Sequence, residues 1–354
     1  MYDVIVVGAG PAGCRTAELI AKKGYKVLVL TQHEEIGKPV KCSGLVSWRL
    51  KELVPNLPEN VIVNEVESAK FFSSSGSCLE LKSKKPVYVI DREMLDKYLA
   101  ERAKQAGVEI KLSTKFEKIK FLENGVEVKT NKGNFETKLL VGADGVNSIV
   151  ARQINLKQPE NILTGIQATV EGNFDSHSVE LWFGKNICPN FFAWVVPENE
   201  NTARIGLATS ANAKSYFDKF LRKRIGKTKK PDVAGRIIFG LMENTVADRI
   251  LLVGDAASQV KPFSGGGIIY GLIGAGFASL ACIKSLEKEN YSCQFLKVNY
   301  DEKWKQKLAK PIERGLLLSK AVHQHERLFD LSIKLGRIVK PLMEEMDMDF
   351  LGND

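Results

Sequence analysis

The chain has 354 residues, 44% of them hydrophobic and 26% charged, which fits two modest globular domains and excludes a disordered or fibrous protein. A net charge of +9 and a pI near 9.1 favour an anionic partner, yet no nucleic-acid motif accompanies them, so no nucleic acid is expected. Six scattered cysteines without a C-x-x-C pair and four separated histidines give no metal site and no disulfide scaffold, and point to a reduced, cytoplasmic protein.

Tyr2 to Val7 (Y-D-V-I-V-V) reads as a strand, so the N-terminus is committed to the core and no signal peptide is expected. G-A-G-P-A-G follows at residues 8–13, then a helical stretch from Cys14 to Lys23. Strand, glycine turn and helix together make a G-x-G-x-x-G informative. Gly8 allows the tight turn, Gly10 lets the backbone approach a pyrophosphate, and Gly13 lets the helix pack on the strand. The helix N-terminus offers unpaired N–H groups to the phosphates, and Pro11 suits its first turn. Tyr25 to Leu30 is the next strand. Thr31 stands after it where an acidic ribose ligand is usual, so its hydroxyl is the candidate ribose contact.

The loop 37–47 (G-K-P-V-K-C-S-G-L-V-S) is too rich in glycine and small residues for an ordinary helix. Val61 to Leu81 reads as short strands with a turn at Ser73 to Ser77. Val87 to Asp91 reads as a separate strand, and Arg92 opens a helix to about Gln105. Phe116 to Phe121 alternates, with Asn124-Gly125 as a hairpin turn before Val126 to Thr130. Leu139 to Val141 leads into G-A-D-G-V-N-S at 142–148. Four β segments between Thr164 and Ala208 suit one twisted sheet. A helix from Ala213 to Arg224 runs into a basic stretch, Arg222 to Lys230, with six Lys and Arg. Arg249 to Val253 is a strand ending at Gly254-Asp255. Pro262 to Ile283 has no charge for 22 residues, long enough for a membrane span. Its six glycines and S-G-G-G start argue instead for a loop and a buried helix. The rest reads as helical.

The expected fold is α/β (α+β overall), a Rossmann-like nucleotide-binding domain interrupted by an inserted antiparallel β-sheet domain and followed by a helical C-terminus. The nucleotide-binding domain is assigned 1–60, 86–163 and 240–290, the substrate domain 61–85 and 164–239, and the helical region 291–354.

Three separated motifs agree: G-A-G-P-A-G at 8–13, G-A-D-G-V-N-S-I-V-A-R at 142–152 and R-I-L-L-V-G-D-A-A at 249–257. Together they resemble the flavoprotein group of p-hydroxybenzoate hydroxylase and the geranylgeranyl reductases. Three further stretches resemble the archaeal geranylgeranyl reductases, which act on digeranylgeranylglycerophospholipids. They are K-P-V-K-C-S-G-L-V-S at 38–47, F-F-A-W-V-V-P at 191–197 and P-F-S-G-G-G-I at 262–268. Phe192 stands where that family has tyrosine and Val196 where it has phenylalanine. The resemblance implies FAD, with Asp255 on the ribityl chain and the Asp144-Gly145 turn bracing the pyrophosphate side. It also places Ala12, Thr31, Cys42, Ser43, Gly44, Arg92, Phe116 (through its backbone), Gly266, Gly267 and Ile268 at FAD contacts. Phe192, Trp194 and Pro197 fall in its substrate motif. Read as residues alone, Arg92 also suits a surface ion pair, Cys42 an inert small hydrophobe and Trp194 the core.

The activity so implied is saturation of isoprenoid double bonds of geranylgeranyl chains by hydride transfer from reduced flavin. An aromatic hydroxylase of the same fold is the alternative, and a non-catalytic prenyl-binding protein a third reading. An isolated alkene is not an electrophile, so hydride delivery needs a proton arriving with it or before it. Cys42 stands out in the flavin loop for a relay or positioning role. With a single G-x-G-x-x-G, the chain must meet its electron donor transiently, as a nicotinamide or a small redox protein. A lipid substrate implies peripheral membrane contact at the cytoplasmic face. Two stretches could provide it: Arg222 to Lys230, and an amphipathic helix from Leu328 to Met343 carrying Leu331, Leu335, Ile338 and Leu342.

Overall fold

The computed structural model of the chain describes residues 1–40, 42–336 and 348–351. Strand Tyr2–Val7 pairs in parallel with Val27–Leu30 on one side and Gly133–Gly142 on the other. Glu109–Lys111 and Ile250–Leu252 extend the parallel sheet at its two ends. The central strands are apolar runs covered on both faces, as parallel sheets require. One face carries helices Pro11–Ala21, Arg92–Gln105 and Ile268–Glu287. The other is covered by the antiparallel strands Phe116–Leu122 and Gly125–Thr130 and by the short helix Ile149–Gln153. Helix Ile268–Glu287 is long and apolar enough to cross a membrane, but most of its residues are buried against this core.

The first helix begins at Pro11, three residues before the expected start. Proline at the first position loses no intrahelical hydrogen bond, so the chain coils directly out of the glycine turn. Asp91 caps helix Arg92–Gln105 by accepting a 3.0 Å hydrogen bond from the Met94 N–H.

The second sheet also has eight strands and contains the four β segments expected between Thr164 and Ala208. Its pairing is antiparallel except where Ser178–Gly184 runs parallel to Ile62–Phe72. Val87 to Asp91 is not a separate strand. Cys78–Ile90 is continuous, and its register jumps from Lys82 opposite Ser68 to Val87 opposite Val66. Ser83 to Pro86 therefore leave the ladder. Proline has no N–H to donate, and the run K-S-K-K-P has no apolar side chain to fix the pleat. Leu45–Ser47, from the glycine-rich loop, pairs with Val87–Val89 and gives this sheet an edge that begins within residues 1–60.

Helices Glu302–Gln324 and Glu326–Lys334 cover one side of the second sheet. Glu326–Lys334 is the described part of the expected amphipathic helix. Ile338, Lys340, Leu342 and Met343 lie outside the described residues.

His323 sits in an aromatic cluster, its ring 6.1 Å from that of Phe183 and 6.4 Å from that of Phe191. Its Nε2 is buried without a hydrogen-bond partner among the described residues, and burial lowers its pKa to about 4. The unfolded chain binds this proton near pH 6.5, so His323 costs stability as pH falls from about 6.5 to about 4, and no more below that. His323→Phe should flatten the melting temperature across that window relative to wild type, with a gain on the order of 2 kcal/mol at pH 4. Thermal melts of both proteins at half-unit pH steps test this. Parallel curves would show that the imidazole is not held neutral.

Candidate active site

The glycine turn is shaped by what its neighbours leave room for. A Cβ on Gly8, at φ +113°, would lie 2.2 Å from the Ala143 carbonyl oxygen. One on Gly13 would lie 2.0 Å from the Gly8 carbonyl oxygen, so helix and strand pack at the closest approach glycine permits. A Cβ on Gly10 would meet nothing within 4 Å, because Gly10 faces an open chamber. No side chain caps the helix that starts at Pro11, which leaves its first N–H groups for a ligand.

That chamber has a volume of ≈ 1010 Å³, at the upper end of ordinary ligand pockets (roughly 300–1,000 Å³). Its polar end is lined by Gly10 to Gly13, Cys42, Ser43, Arg92, Asp255 and the turn Ser264 to Ile268. Its other end is apolar, walled by Phe71, Leu181, Phe192, Trp194, Val196 and Phe263. A Cβ on Gly267 would lie 2.5 Å from Asp255 Oδ1, so only glycine fits against that carboxylate. Burial pushes the Asp255 carboxyl up, and Arg92 opposes the shift. Burial works against the Arg92 charge, but Asp96, Cys42 and Asp255 outweigh it and keep the guanidinium ionised. Arg92 is half-buried and donates from Nε to Asp96 at 2.7 Å, which makes it part of the chamber wall rather than a surface ion pair. Ser264 Oγ is buried without a partner among the described residues, a hydroxyl left for a ligand.

The Cys42 loop is held from the second sheet. Trp194 Nε1 donates to Gln167 Oε1 at 2.9 Å, and Gln167 Nε2 donates to the Cys42 carbonyl at 3.3 Å. Arg204 Nη1 donates to the carbonyls of Ser43 (2.9 Å) and Ile90 (2.8 Å), while Arg204 forks onto Glu198 at 2.6 and 2.7 Å. The Cys42 sulfur accepts from the Gly44 N–H at 3.3 Å. Gln167 and Arg204 were not legible as site residues in the sequence, because only the strand register brings them under the loop, and Glu198, just after Pro197, gains its place by pairing with Arg204.

Several expected residues stand back from the chamber. Asp144 accepts from the Ser148 hydroxyl (2.6 Å) and the Ile149 and Val150 N–H groups (2.6 and 3.1 Å), so it braces the start of a short helix. Thr31 and Phe116 are buried beyond the chamber, where the Thr114 N–H donates to the Thr31 carbonyl at 2.7 Å and the Thr31 hydroxyl accepts from the His33 N–H. Gly44 is buried behind the loop, where a Cβ would lie 2.2 Å from Arg204 Nη1. Phe192 and Trp194 line the apolar wall, but Pro197 does not. Alternate residues share a strand face, and the Pro197 carbonyl instead accepts from Asn64 at 3.1 Å. Among the described residues no group of three or more His, Cys, Asp or Glu could hold a metal.

A nucleotide cradle open into an apolar chamber is the arrangement of a flavoprotein oxidoreductase whose substrate is apolar, and the open Gly10, the uncapped helix and the orphaned Ser264 hydroxyl fit FAD. The FAD binding domain family model matches residues 1–193 and the geranylgeranyl reductase catalytic domain model residues 161–238. A digeranylgeranylglycerophospholipid reductase of Methanococcoides burtonii is 33% identical over 94% of this chain and 85% of its own length. One from Methanocaldococcus jannaschii is 31% identical over 87% of this chain and 83% of its own. The crystal structure of a geranylgeranyl bacteriochlorophyll reductase-like protein from Thermoplasma acidophilum matches with a TM-score of 0.84 and 26% identity, over 99% of this chain and 93% of that one. A halogenase solved in complex with FAD shares the fold at a TM-score of 0.69 and 18% identity, over 85% of this chain and 73% of its own. The chain belongs to the geranylgeranyl reductase family. It is an FAD-dependent oxidoreductase.

Substitutions at two positions test the geometry. Asp255→Ala should weaken FAD binding by about 10- to 150-fold, the loss of one hydrogen bond to a charged group (about 1.5–3 kcal/mol), measured by flavin fluorescence titration. Gln167→Leu should retain FAD but lower turnover with little change in KM, because it frees the Cys42 carbonyl and the Trp194 indole together. Gln167→Glu keeps an acceptor for Trp194 and loses the donor to Cys42. If it works as well as wild type, the link to the Cys42 loop does not matter to catalysis.

Proposed function

We propose that the protein saturates double bonds of geranylgeranyl chains carried on a glycerophospholipid. The observation that carries this reading is the continuity of the chamber, which joins the glycine turn and Asp255 to the apolar wall of Phe71, Leu181, Phe192 and Trp194 without a barrier. When bound, reduced FAD supplies the hydride. The chain's own residues then have three tasks. The wall from Phe192 to Val196 holds an extended apolar chain and excludes water, which favours transfer to a carbon of low polarity. Gly10, Gly13, Arg92 and Asp255 hold the cofactor's polar part. Cys42, on a loop pinned by Gln167 and Arg204, positions the reacting carbon or relays a proton to it.

The electron donor docks transiently, since only one nucleotide-binding glycine turn is present in the sequence. It is a nicotinamide or a small redox protein. The protein works in the cytoplasm and takes its lipid from the membrane face.

Lipid extract incubated with chemically reduced enzyme and read by mass spectrometry should show geranylgeranyl species gaining two hydrogens per reduced bond. Stoichiometric oxygen consumption with an aromatic substrate, and no gain of hydrogens in the lipids, would instead identify a hydroxylase. Cys42→Ala should retain FAD yet change the rate or the set of bonds reduced. Unchanged rates and products would reduce the thiol to packing.

A further inference from the structure

The chamber reaches the protein surface along a rim with two unlike sides. On one side, helix Glu326–Lys334 contributes Leu328, Phe329 and Ser332 to the chamber wall. Phe329 and Ile333 turn inward onto Phe71, Leu79 and Leu81. Leu328, at the edge of the chamber, and Leu331 and Leu335 beside it are 63%, 50% and 49% exposed, at a spacing that keeps them on one stripe. The helix is pinned to the hairpin beneath it, where Ser73 and Ser75 donate to Asp330. On the other side, Leu81 and the last paired residue, Lys82, run directly into the bulge where Ser83, Lys84 and Lys85 leave the ladder. Lys82, Ser83, Lys84 and Lys85 are all exposed and line the chamber. Lys85 Nζ lies 4.2 Å above the ring of Trp48, which also lines the chamber.

We propose that this rim is the membrane-docking face, and that it seats the protein on an anionic bilayer with the chamber mouth against the headgroups. The proposal rests on the reading that the substrate is a lipid. Three features of the rim match a bilayer surface. Exposed leucines beside the opening enter the acyl boundary. The lysines meet anionic headgroups. A partly buried tryptophan with a cation over its ring suits the interface between them. The face also leads into the chamber, so a lipid chain can enter without crossing water. The other basic stretch, Arg222 to Lys230, does not line the chamber, so a bilayer held there would not face the chamber mouth. It is therefore not the docking surface.

The test is flotation of the full-length, FAD-loaded protein with phosphatidylcholine vesicles, with and without phosphatidylglycerol, at low and high salt. Flavin absorbance serves as the check on folding. Wild type should float with phosphatidylglycerol vesicles at low salt and be partly released by high salt. K82Q/K84Q/K85Q should lose roughly tenfold or more of that binding and most of its salt dependence. L331S/L335S should weaken binding at both salt concentrations. R222Q/K223Q/K227Q should float as wild type does. The proposal is overturned if wild type stays unbound at low salt, if the rim variants float like wild type, or if only the Arg222 to Lys227 variant loses binding. Reduction of a detergent-dispersed geranylgeranyl lipid separates the two readings. Wild type that reduces this lipid but never floats refutes the docking face alone. Wild type that floats through the rim yet reduces no isoprenoid refutes the proposed function and leaves the face standing.

Discussion

The site depends on one buried cation. Arg204 is only 9% exposed, and its guanidinium bridges three chain segments: it forks onto Glu198, and Nη1 reaches the carbonyls of Ser43 and Ile90. A charge this buried is tolerated only when paired and fully hydrogen-bonded. Here the fixed fork of arginine satisfies both demands, and lysine could not reproduce it. Its effect is architectural. Ile90 ends the long strand of the second sheet, and Ser43 belongs to the loop that faces the nucleotide end. One side chain thus sets the distance between the apolar wall and the cradle. Gly44 leaves the space the guanidinium occupies.

This division explains what could be read in advance. The cradle was legible because its causes are local. Gly8, Gly10 and Gly13 lie within six residues of one another, and their roles follow from a strand, a turn and a helix adjacent in sequence. The apolar wall was half legible. The two-residue alternation of Phe192, Trp194 and Val196 puts them on one face, but the sequence does not say which face the chamber lies on. Gln167 and Arg204 were not legible, since each is an ordinary polar residue in a strand. They gain their roles from pairing between Ile162–Glu171 and Thr202–Thr209, which sets Gln167 opposite Gly206. Gly206 in turn lets the Trp194 ring lie close to the backbone, where a Cβ would come within 2.5 Å of it. The bulge at Ser83 to Pro86 escaped for a related reason. A run of lysines reads as a solvated loop, and only the strand continuing beyond it shows that it projects over a chamber.

A second buried charge closes the structure from the far end of the chain. Asp349 accepts from Lys261 Nζ at 2.8 Å, from Arg49 Nη1 at 3.2 Å and from the Ser47 hydroxyl, and its carbonyl takes the Tyr270 hydroxyl at 2.6 Å. Burial raises its carboxyl pKa, but the charges of Lys261 and Arg49 and the Ser47 hydroxyl outweigh this and hold it below the usual carboxylate range. Its contribution to stability is therefore present at neutral pH and lost as pH falls through the acid range. Lys261 belongs to the turn that lines the polar end of the chamber: its N–H donates to the Gly266 carbonyl and its own carbonyl accepts from the Gly265 N–H. The neighbours of Asp349, Met348 and Phe350, both line the chamber.

The two buried charges therefore act at opposite ends of one loop. Arg204 fixes Ser43, and Asp349 fixes Ser47, with the edge strand Leu45–Ser47 between them. Cys42 lies just before this clamped segment, where its carbonyl accepts from Gln167 and its sulfur from the Gly44 N–H. The segment from Ser43 to Ser47 is thus held at both ends. Side chains of the apolar wall, such as Phe192 and Val196, lie outside this clamp, so they can change the shape of the chamber without moving the segment that Arg204 and Asp349 hold.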